Sequence, residues 1–366
     1  MKRNITFTAG CAIDKYEFYL ASVLDELDYS DDFSKMLTYN FIEKQWRSYD
    51  LEDWKTISVA YNKPTHTLLC LDLYGRLERF ESDQHRYEYV EEDIELNKIK
   101  VIDQSLYVCG ADGKVYKYTD GEWNNLSLNL HETKNITKEE LMSLDVPIYL
   151  EKYLIDINGF SKNEVYVCGL DRGEGFLAFF DGENWNTINK ITPSSLNKII
   201  LCPTGENIFV LGSYGTLLKG NIHKGFQNLK DMGITSDFYS GAFYKDIMYI
   251  ASEDGLYTYI NNTFTKVPSI EHIKSTFEIQ EKDEVLWILS AKELIRFDGE
   301  NWEIIHHPDN EEETSNRLKC YAGDRCPESG DWYSPHQVEK RYFAKGDVMP
   351  EIENNTWGET IWYLDI

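Results

Sequence analysis

The sequence predicts an all-β fold, and three observations support this. Aromatic residues make up 14% of the 366 residues, with 25 tyrosines among them, and aromatic and β-branched residues favour strands. Apolar residues recur in short runs that Gly, Asp and Asn interrupt, as a chain of strands and turns requires. The phrase FDGENW begins at Phe180 and again at Phe297, and a shorter relative, TDGEW, begins at Thr119.

Each copy of this phrase is predicted to form a turn followed by a new strand. Asp-Gly between apolar runs is a strong hairpin signal, because Gly adopts positive φ at no steric cost. A second hairpin precedes each phrase. Residues 105–126, for example, divide into three strands separated by turns at 111–113 and 120–122. One repeat therefore contains at least three antiparallel strands.

Six such repeats can be recognised in the sequence. They begin at His66, Ser105, Glu164, Asn207, Ile247 and Val285. The glycines of their first turns recur about every forty residues, and a fourth strand, such as KIKVI from Lys98, precedes the repeats. This period and strand number predict the blades of a β-propeller. A further blade at residues 35–51 would make seven, and six blades with an N-terminal extension is the alternative.

One step of the repeat, between Gly113 and Gly175, is longer than the others. It is predicted to contain an insertion at residues 129–151. The segment NITKEELMSL within it offers Thr137 as the N-cap of a short amphipathic helix. We expect this helical insertion to project from one face of the propeller.

The recurring Trp123, Trp185 and Trp302 are predicted to begin outer strands. A single four-stranded sheet cannot bury both of its apolar faces, so a tryptophan at this position can cover the seam with a neighbouring sheet. A sugar-stacking platform is the alternative role. Blades that carry DGxxW resemble the sensor-type and two-component-regulator propellers of bacteria, over about residues 35–307. That resemblance implies the fold and not a function.

The sequence pattern changes after the last repeat. We predict a propeller at residues 1–307, an acidic linker at 308–316 and a small β appendage at 317–366. The appendage is too small for a core of its own and should pack on the propeller. Three roles compete for its Cys320 and Cys326. A zinc site would need four ligands, and only His336 lies nearby; a redox pair would normally show the C-x-x-C spacing; a structural role is favoured.

The appendage also carries a recognisable order of residues: CPESGDW, then RYFAKGDVMP, then TIWYL. This order resembles a C-terminal module of bacterial immunity proteins, which neutralise toxins of contact-dependent and type VI secretion systems. The matching motif positions include Cys320, Cys326, Trp332, Arg341 and Trp362. The resemblance implies binding of a toxin and brings no chemistry with it.

The charge of the chain restricts its partners. Asp and Glu number 63 against 37 Lys and Arg, a net charge of −26. Nucleic acid and anionic membranes would be repelled. The acidity either keeps the protein soluble or steers a basic protein partner. The cysteines lie mostly in apolar runs, and neither an export signal nor a membrane-length apolar run is visible, so we expect a cytoplasmic protein.

The sequence shows no pattern for a catalytic or metal site. The eight histidines do not follow the repeat, and the common nucleophile, phosphate-loop and zinc-protease motifs are missing. We therefore predict no catalytic residues, no metal, no cofactor and no enzymatic activity. The predicted partner-binding residues are acidic: Glu91, Glu92 and Asp93 between two blades, and Glu139 and Glu140 in the insertion.

These observations favour a non-catalytic, cytoplasmic immunity protein, monomeric when free, that occludes the active site of a basic secreted toxin. One alternative is a sensor or scaffold propeller that binds a small ligand or an assembly partner on its axis. Another is a carbohydrate-processing propeller with paired carboxylates on the axis.

Overall fold

A computed structural model describes residues 4–28, 31–81, 84–92, 94–130, 152–229, 233–310, 318–334, 340–352 and 360–364. The chain divides into two compact units, Met1–Asp309 and Asn310–Ile366. The described residues contain strands and three short 3-10 helices, Lys63–Thr65, Leu128–Leu130 and Pro268–Ile270, and none of them is α-helical. None of these helices has the length and apolarity needed to span a bilayer.

The described part of the first unit forms seven antiparallel sheets, each made of four consecutive strands. Sheet 1 contains β1 (Ile5–Ala12), β2 (Glu17–Leu24), β3 (Phe33–Asn40) and β4 (Gln45–Glu52). Sheet 2 contains β5 (Thr56–Asn62), β6 (Thr67–Asp72), β7 (Arg76–Glu81) and β8 (Gln84–Tyr89). Sheet 3 contains β9 (Leu96–Ile102), β10 (Ser105–Gly110), β11 (Val115–Thr119) and β12 (Glu122–Asn125). Sheet 4 contains β13 (Lys152–Ser161), β14 (Glu164–Asp171), β15 (Glu174–Phe180) and β16 (Trp185–Thr187). Sheet 5 contains β17 (Leu196–Leu201), β18 (Ile208–Gly212), β19 (Thr216–Asn221) and β20 (Gly225–Asn228). Sheet 6 contains β21 (Phe238–Tyr244), β22 (Ile247–Ser252), β23 (Gly255–Ile260) and β24 (Thr263–Lys266). Sheet 7 contains β25 (Thr276–Lys282), β26 (Val285–Ser290), β27 (Glu293–Phe297) and β28 (Trp302–His306).

The first strands of the sheets surround a common axis. Each first strand lies beside the first strand of the next sheet, and β25 lies beside β1. Each outer strand is the fourth in sequence and pairs only with the third. Sheets arranged in this way form a β-propeller, so the predicted fold class is confirmed.

The tryptophans of the repeated phrase seal the seams between sheets. Trp185 is buried at the start of β16, and its indole N–H donates to the carbonyl of Leu126, which follows sheet 3, at 2.8 Å. Trp123 donates to Glu88 of sheet 2 at 2.9 Å. The ring of Trp302 lies 6.2 Å from that of Tyr249 in sheet 6. In each case the tryptophan reaches the preceding sheet.

Sheet 7 closes the ring against sheet 1 without sharing a strand. The backbone N–H of Phe7 donates to the carbonyl of Ala291 at 2.9 Å. The Gln280 amide accepts from the N–H of Ala12 at 3.0 Å and donates to the carbonyl of Gly10 at 3.1 Å. Apolar side chains of both sheets, including Phe7, Phe18, Leu20, Trp287 and Leu289, form one buried cluster. Closure therefore depends on side-chain packing and a few hydrogen bonds.

The second unit contains one small sheet. Its strands are β29 (Lys319–Tyr321), β30 (Gly330–Tyr333), β31 (Arg341–Phe343) and β32 (Ile361–Leu364), in the order β29-β32-β30-β31. Cys320, Cys326, Trp332, Met349, Trp362 and Leu364 form its buried core. The expectation that this unit is too small for a core of its own is therefore wrong, although its core is small.

The sequence located the first sheet too late. Residues 35–51 form only its two outer strands, and the sheet begins at Ile5. The β1–β2 hairpin turns through Asp14 and Tyr16, where the Asp14 carboxylate accepts backbone N–H groups, and the turn lacks the Asp-Gly signal. Of the predicted insertion at 129–151, residues 131–151 lie outside the described residues. The described part of the predicted linker at 308–316 is limited to residues 308–310.

The closure of the ring can be tested at Trp287. This side chain is fully buried, its ring lies 5.5 Å from that of Phe18, and its indole N–H donates to the carbonyl of Asp14 at 3.0 Å. We expect Trp287→Ala to lower the free energy of unfolding by about 3–5 kcal/mol, because it leaves a cavity between sheets 7 and 1. Urea denaturation measures this. Trp302→Ala, at a half-buried position of the same sheet, is the control; an equal loss in both variants would contradict the closing role.

Candidate functional site

One face of the propeller carries the described parts of the links between successive sheets. Because neighbouring strands are antiparallel, these links leave from the same face as the turns between the second and third strands of each sheet. We call this the linker face. The described links include residues 53–55 and 267–275, and the described turns include residues 73–75 and 213–215.

The linker face bears two of the predicted partner-binding residues. Glu91 and Glu92 are exposed in the link between β8 and β9. The Glu91 carboxylate accepts a hydrogen bond from the Tyr116 hydroxyl. Burial, and then the hydrogen bond to Glu91, raise the pKa of Tyr116, so the phenol stays protonated and donates. Asp93 lies outside the described residues.

The insertion leaves from the same face. It connects Leu130 to Lys152, and the Lys152 ammonium donates to the carbonyl of Leu130 at 2.9 Å. The N–H of Gly113, in the turn of sheet 3, donates to the carbonyl of Lys152 at 3.0 Å. Glu139 and Glu140 lie outside the described residues. The structure therefore places the ends of the insertion, but not these two side chains, on the linker face.

Exposed carboxylates extend across the part of the linker face that sheets 1 to 3 form. This acidic patch comprises Asp25, Glu26, Asp28, Asp31, Asp53, Glu91, Glu92, Glu95 and Asp112. Nearby cations contact the protein itself: Lys292 binds Asp25, and Arg76 binds Asp72 and the carbonyl of Asp53. In the sequence these acids occur as separate clusters. Their positions within each repeat, in links between sheets and in turns between second and third strands, are the signal that places them on one face.

Polar groups on the axis form a second candidate site, which sequence reasoning missed. Each first strand carries a β-bulge at the same place, and one residue directly follows each bulge. These residues are Ala9, Ser58, Lys98, Asp156, Lys198, Ser240 and Glu278. A bulge shifts the register and re-aims the following side chain. The seven equivalent positions therefore form an axial ring.

Glu278 joins three other sheets in this ring. Its carboxylate accepts from Lys198 at 2.9 Å, Lys98 at 3.3 Å and Ser240 at 3.2 Å. Burial alone would raise the pKa of Glu278, but Lys198 and Lys98 hold it far below its usual range. Burial alone would lower the pKa of Lys198, but Glu278 and then Asp156 raise it. Both groups are therefore charged at neutral pH.

Asp156 and Lys100 are two further charged groups near the axis, and burial is only partly compensated at each. Asp156 accepts the N–H of Ile199 at 2.8 Å through one carboxylate oxygen, and the other oxygen has no hydrogen-bond partner among the described residues. Burial, followed by Lys198, lowers the pKa of the half-buried Lys100 to about 8. The described residues contain no group of three or more His, Cys, Asp or Glu side chains that could hold a metal ion. The main feature of the described axial residues is therefore the pairing of Glu278 with Lys98 and Lys198.

The predicted motif residues of the second unit mostly lie in its core. Trp332 and Trp362 are fully buried, and their indoles donate to the carbonyls of Glu328 and Pro350 at 3.2 and 2.8 Å. Arg341 is exposed, with its guanidinium 5.9 Å from the ring of Trp362. Core packing therefore accounts for the two tryptophans of the motif.

The two motif cysteines are buried free thiols. Cys320 and Cys326 donate to the carbonyls of Arg325 and Glu328, at 3.5 and 3.0 Å. Burial, and then Asp324, raise the pKa of Cys320, which disfavours the thiolate that redox or metal chemistry needs. His336, the possible third zinc ligand, lies outside the described residues. The geometry of the described atoms fits the structural role.

Comparison with known proteins finds a relative by sequence. Immune protein Tsi7 of Pseudomonas aeruginosa is 23% identical over 303 residues, which cover 78% of this chain and 92% of that protein. No protein-family model matches the chain. The chain is therefore a β-propeller protein whose sequence is similar to that of an immune protein.

Similar solved structures are β-propellers and lyases of low sequence identity. A catalytically inactive virginiamycin B lyase from Staphylococcus aureus with quinupristin has a TM-score of 0.62 at 10% identity, over 80% of this chain and 94% of the lyase. The WD40 propeller domain of Doa1 has a TM-score of 0.58 at 11% identity, over 81% and 93%. YCF48 bound to D1 peptide has a TM-score of 0.59 at 12% identity, also over 81% and 93%. At these identities the likeness shows the fold alone.

Removing the axial carboxylate tests its structural role. We expect Glu278→Gln to lower the free energy of unfolding by about 3–5 kcal/mol at pH 7, because Lys98 and Lys198 lose their counter-charge. The folded pKa of Glu278 lies below its ordinary value of 4.5, so its contribution is present above pH 4.5 and is lost as the pH falls through the folded pKa. The gap between wild type and variant should therefore be constant from about pH 5 to 8 and shrink in more acidic solution.

Urea unfolding across this pH range measures the gap. The exposed Glu300→Gln in a hairpin turn of sheet 7 is the matched control and should leave stability unchanged. A gap for Glu278→Gln that stays constant down to pH 3 would show that the carboxylate charge is not the cause.

Proposed function

We propose that this chain is a cytoplasmic immunity protein that binds a basic toxin domain delivered by bacterial secretion and blocks the toxin's active site. The observation that carries the proposal is the similarity to an immune protein along most of both chains. The tail motif independently resembles a module of immunity proteins. Binding without catalysis follows from this proposal, since an immunity protein needs only to occupy its target.

The acidic patch supports the choice of a basic partner. It concentrates exposed carboxylates on one part of the linker face of a chain with net charge −26. Toxins that act on phosphate-containing substrates carry cationic groups where substrate binds. Carboxylates on a rigid scaffold can occupy those groups in competition with substrate. Long-range attraction would also accelerate the encounter, which matters when a toxin must be captured soon after it arrives.

The function is tested by expressing the candidate toxin domain encoded beside this gene in bacteria, with and without the chain. We expect toxicity alone and normal growth on co-expression, because a bound toxin cannot reach its substrate. Affinity purification of a tagged toxin domain should recover the chain in equimolar amount. Undiminished toxicity in the presence of abundant, folded chain would overturn the proposal.

The contribution of the acidic patch is tested by charge reversal. Glu91→Lys combined with Glu92→Lys should slow association with the toxin domain about tenfold at low salt, and the difference should shrink as ionic strength rises. Stopped-flow or biolayer measurements at several salt concentrations give the rates.

A matched control carries the same change in net charge on the opposite face. Glu183→Lys combined with Glu300→Lys alters exposed side chains in two third-to-fourth-strand turns. It should slow association much less. Because Glu91 also accepts from Tyr116, thermal unfolding of both double variants is compared with wild type. Equal slowing by the two double variants would show that net charge, and not the acidic patch, sets the rate.

A further inference from the structure

Exposed tyrosines are concentrated beside the acidic patch. The described residues of the first unit expose nine large apolar or aromatic side chains, and six of these belong to sheets 1 and 2. Among the six are Tyr49, Tyr74, Tyr87 and Tyr89, which are 43%, 45%, 64% and 45% exposed. Sheets 5 to 7 share only Tyr214 and Ile260 from the same set. Burial in a propeller core does not explain this uneven distribution.

These tyrosines line one seam. Tyr87 and Tyr89 lie on the same face of β8, opposite Glu78 and Arg76 of β7, with their rings 6.3 Å apart. Phe80 lies on the same face of sheet 2, and its ring is 5.6 Å from that of Tyr49 on β4 of sheet 1. Tyr49 approaches from one side of the seam, and Tyr87 and Tyr89 from the other.

The fourth tyrosine links this seam to the acidic patch. The N–H of Val90, next to Tyr89, donates to the carbonyl of Gly75, next to Tyr74, at 2.8 Å. The Tyr74 hydroxyl donates to Asp32 at 3.3 Å. Gly75 has φ +87°, and a Cβ there would meet the carbonyl oxygen of Glu91 at 2.3 Å, so the two loops are fixed in close contact. Tyr49, Tyr87 and Tyr89 thus flank the seam between sheets 1 and 2, and Tyr74 lies at its linker-face end, among the carboxylates. We call these four residues the tyrosine seam.

We propose that the tyrosine seam is the apolar centre of the toxin-binding surface, with the acidic patch as its charged rim. This inference rests on the proposed function and adds the site. The occupant is a protein surface that pairs apolar side chains with Lys or Arg. Tyrosine suits this role because it brings a large contact area with little loss of side-chain entropy and a hydroxyl for a wet rim.

The flanking charge selects among possible occupants. Asp31, Asp32, Asp53, Glu91 and Glu92 lie around the linker-face end of the seam. They would repel a nucleic acid backbone and an anionic bilayer. A second copy of this chain also carries a net charge of −26 and would bring like charges together. A cationic protein surface satisfies both the tyrosines and the carboxylates.

Binding kinetics separate the two parts of the surface. Tyr87→Ala and Tyr89→Ala should each increase the dissociation rate of the toxin complex at least about tenfold while leaving the association rate within about twofold, because truncation removes contacts made only after docking. Charge reversal at Glu91 and Glu92 should act mainly on association. Tyr214→Ala is the matched control: this tyrosine is 62% exposed on the same linker face, in sheet 5, and its truncation should change neither rate by more than about twofold.

The outcomes distinguish this inference from the proposed function. If wild-type chain neither binds nor neutralises the toxin domain, the proposed function fails. If wild type neutralises it and the tyrosine variants, shown by thermal unfolding to be folded, bind as tightly as Tyr214→Ala, only the seam is rejected. Concentration-dependent self-association that the tyrosine variants abolish would assign the seam to a second copy and overturn the choice of occupant.

Discussion

The constraint on which this structure depends is closure of a ring whose seven sheets are each made of four consecutive strands. Among the described residues, no strand from the start of the chain completes the last sheet, so no shared strand fastens the two ends of the propeller together. Side chains perform that task instead: Trp287 packs on Phe18, Gln280 bridges to Gly10 and Ala12, and the Arg296 guanidinium lies 4.0 Å from the centre of the Phe41 ring. These contacts hold the seam between sheets 7 and 1, which closes the ring.

Charge in this protein serves two separate purposes. On the axis, Glu278, Lys98 and Lys198 neutralise one another across sheets 7, 3 and 5. Such buried pairs contribute little net stability, but removing one member leaves an uncompensated charge, so they favour one arrangement of the ring. On the linker face, Asp25 pairs with Lys292, and Glu91 and Glu92 are exposed outside the axial network. A partner can therefore use them without disturbing the interior.

Aromatic residues divide in a similar way. Tryptophans in outer strands of sheets 1, 3, 4 and 7 reach back to the preceding sheet; in sheet 1, the Trp46 indole donates to the carbonyl of His306 at 3.2 Å. The outer strand of sheet 2 is a divergent copy of the repeat, with His85 where the phrase would have tryptophan. The neighbouring Tyr87 and Tyr89 remain exposed. Departure from the structural repeat thus coincides with the surface proposed for binding.

The sequence by itself determined the all-β fold, the repeat and the tryptophan seams, because Asp-Gly turns and strand alternation act over a few neighbouring residues. It also named Glu91 and Glu92 between two blades, and the strand topology then placed them on the linker face. It placed the first sheet too late, since the turn after Asp14 has no glycine. Only the tertiary structure decided the axial ring and the tyrosine seam. The ring requires the register shift of a bulge in every first strand, and the seam brings Tyr49 beside Phe80 and Gly75, next to Tyr74, beside Val90, next to Tyr89. These contacts join residues from different strands and sheets, and no local pattern encodes them.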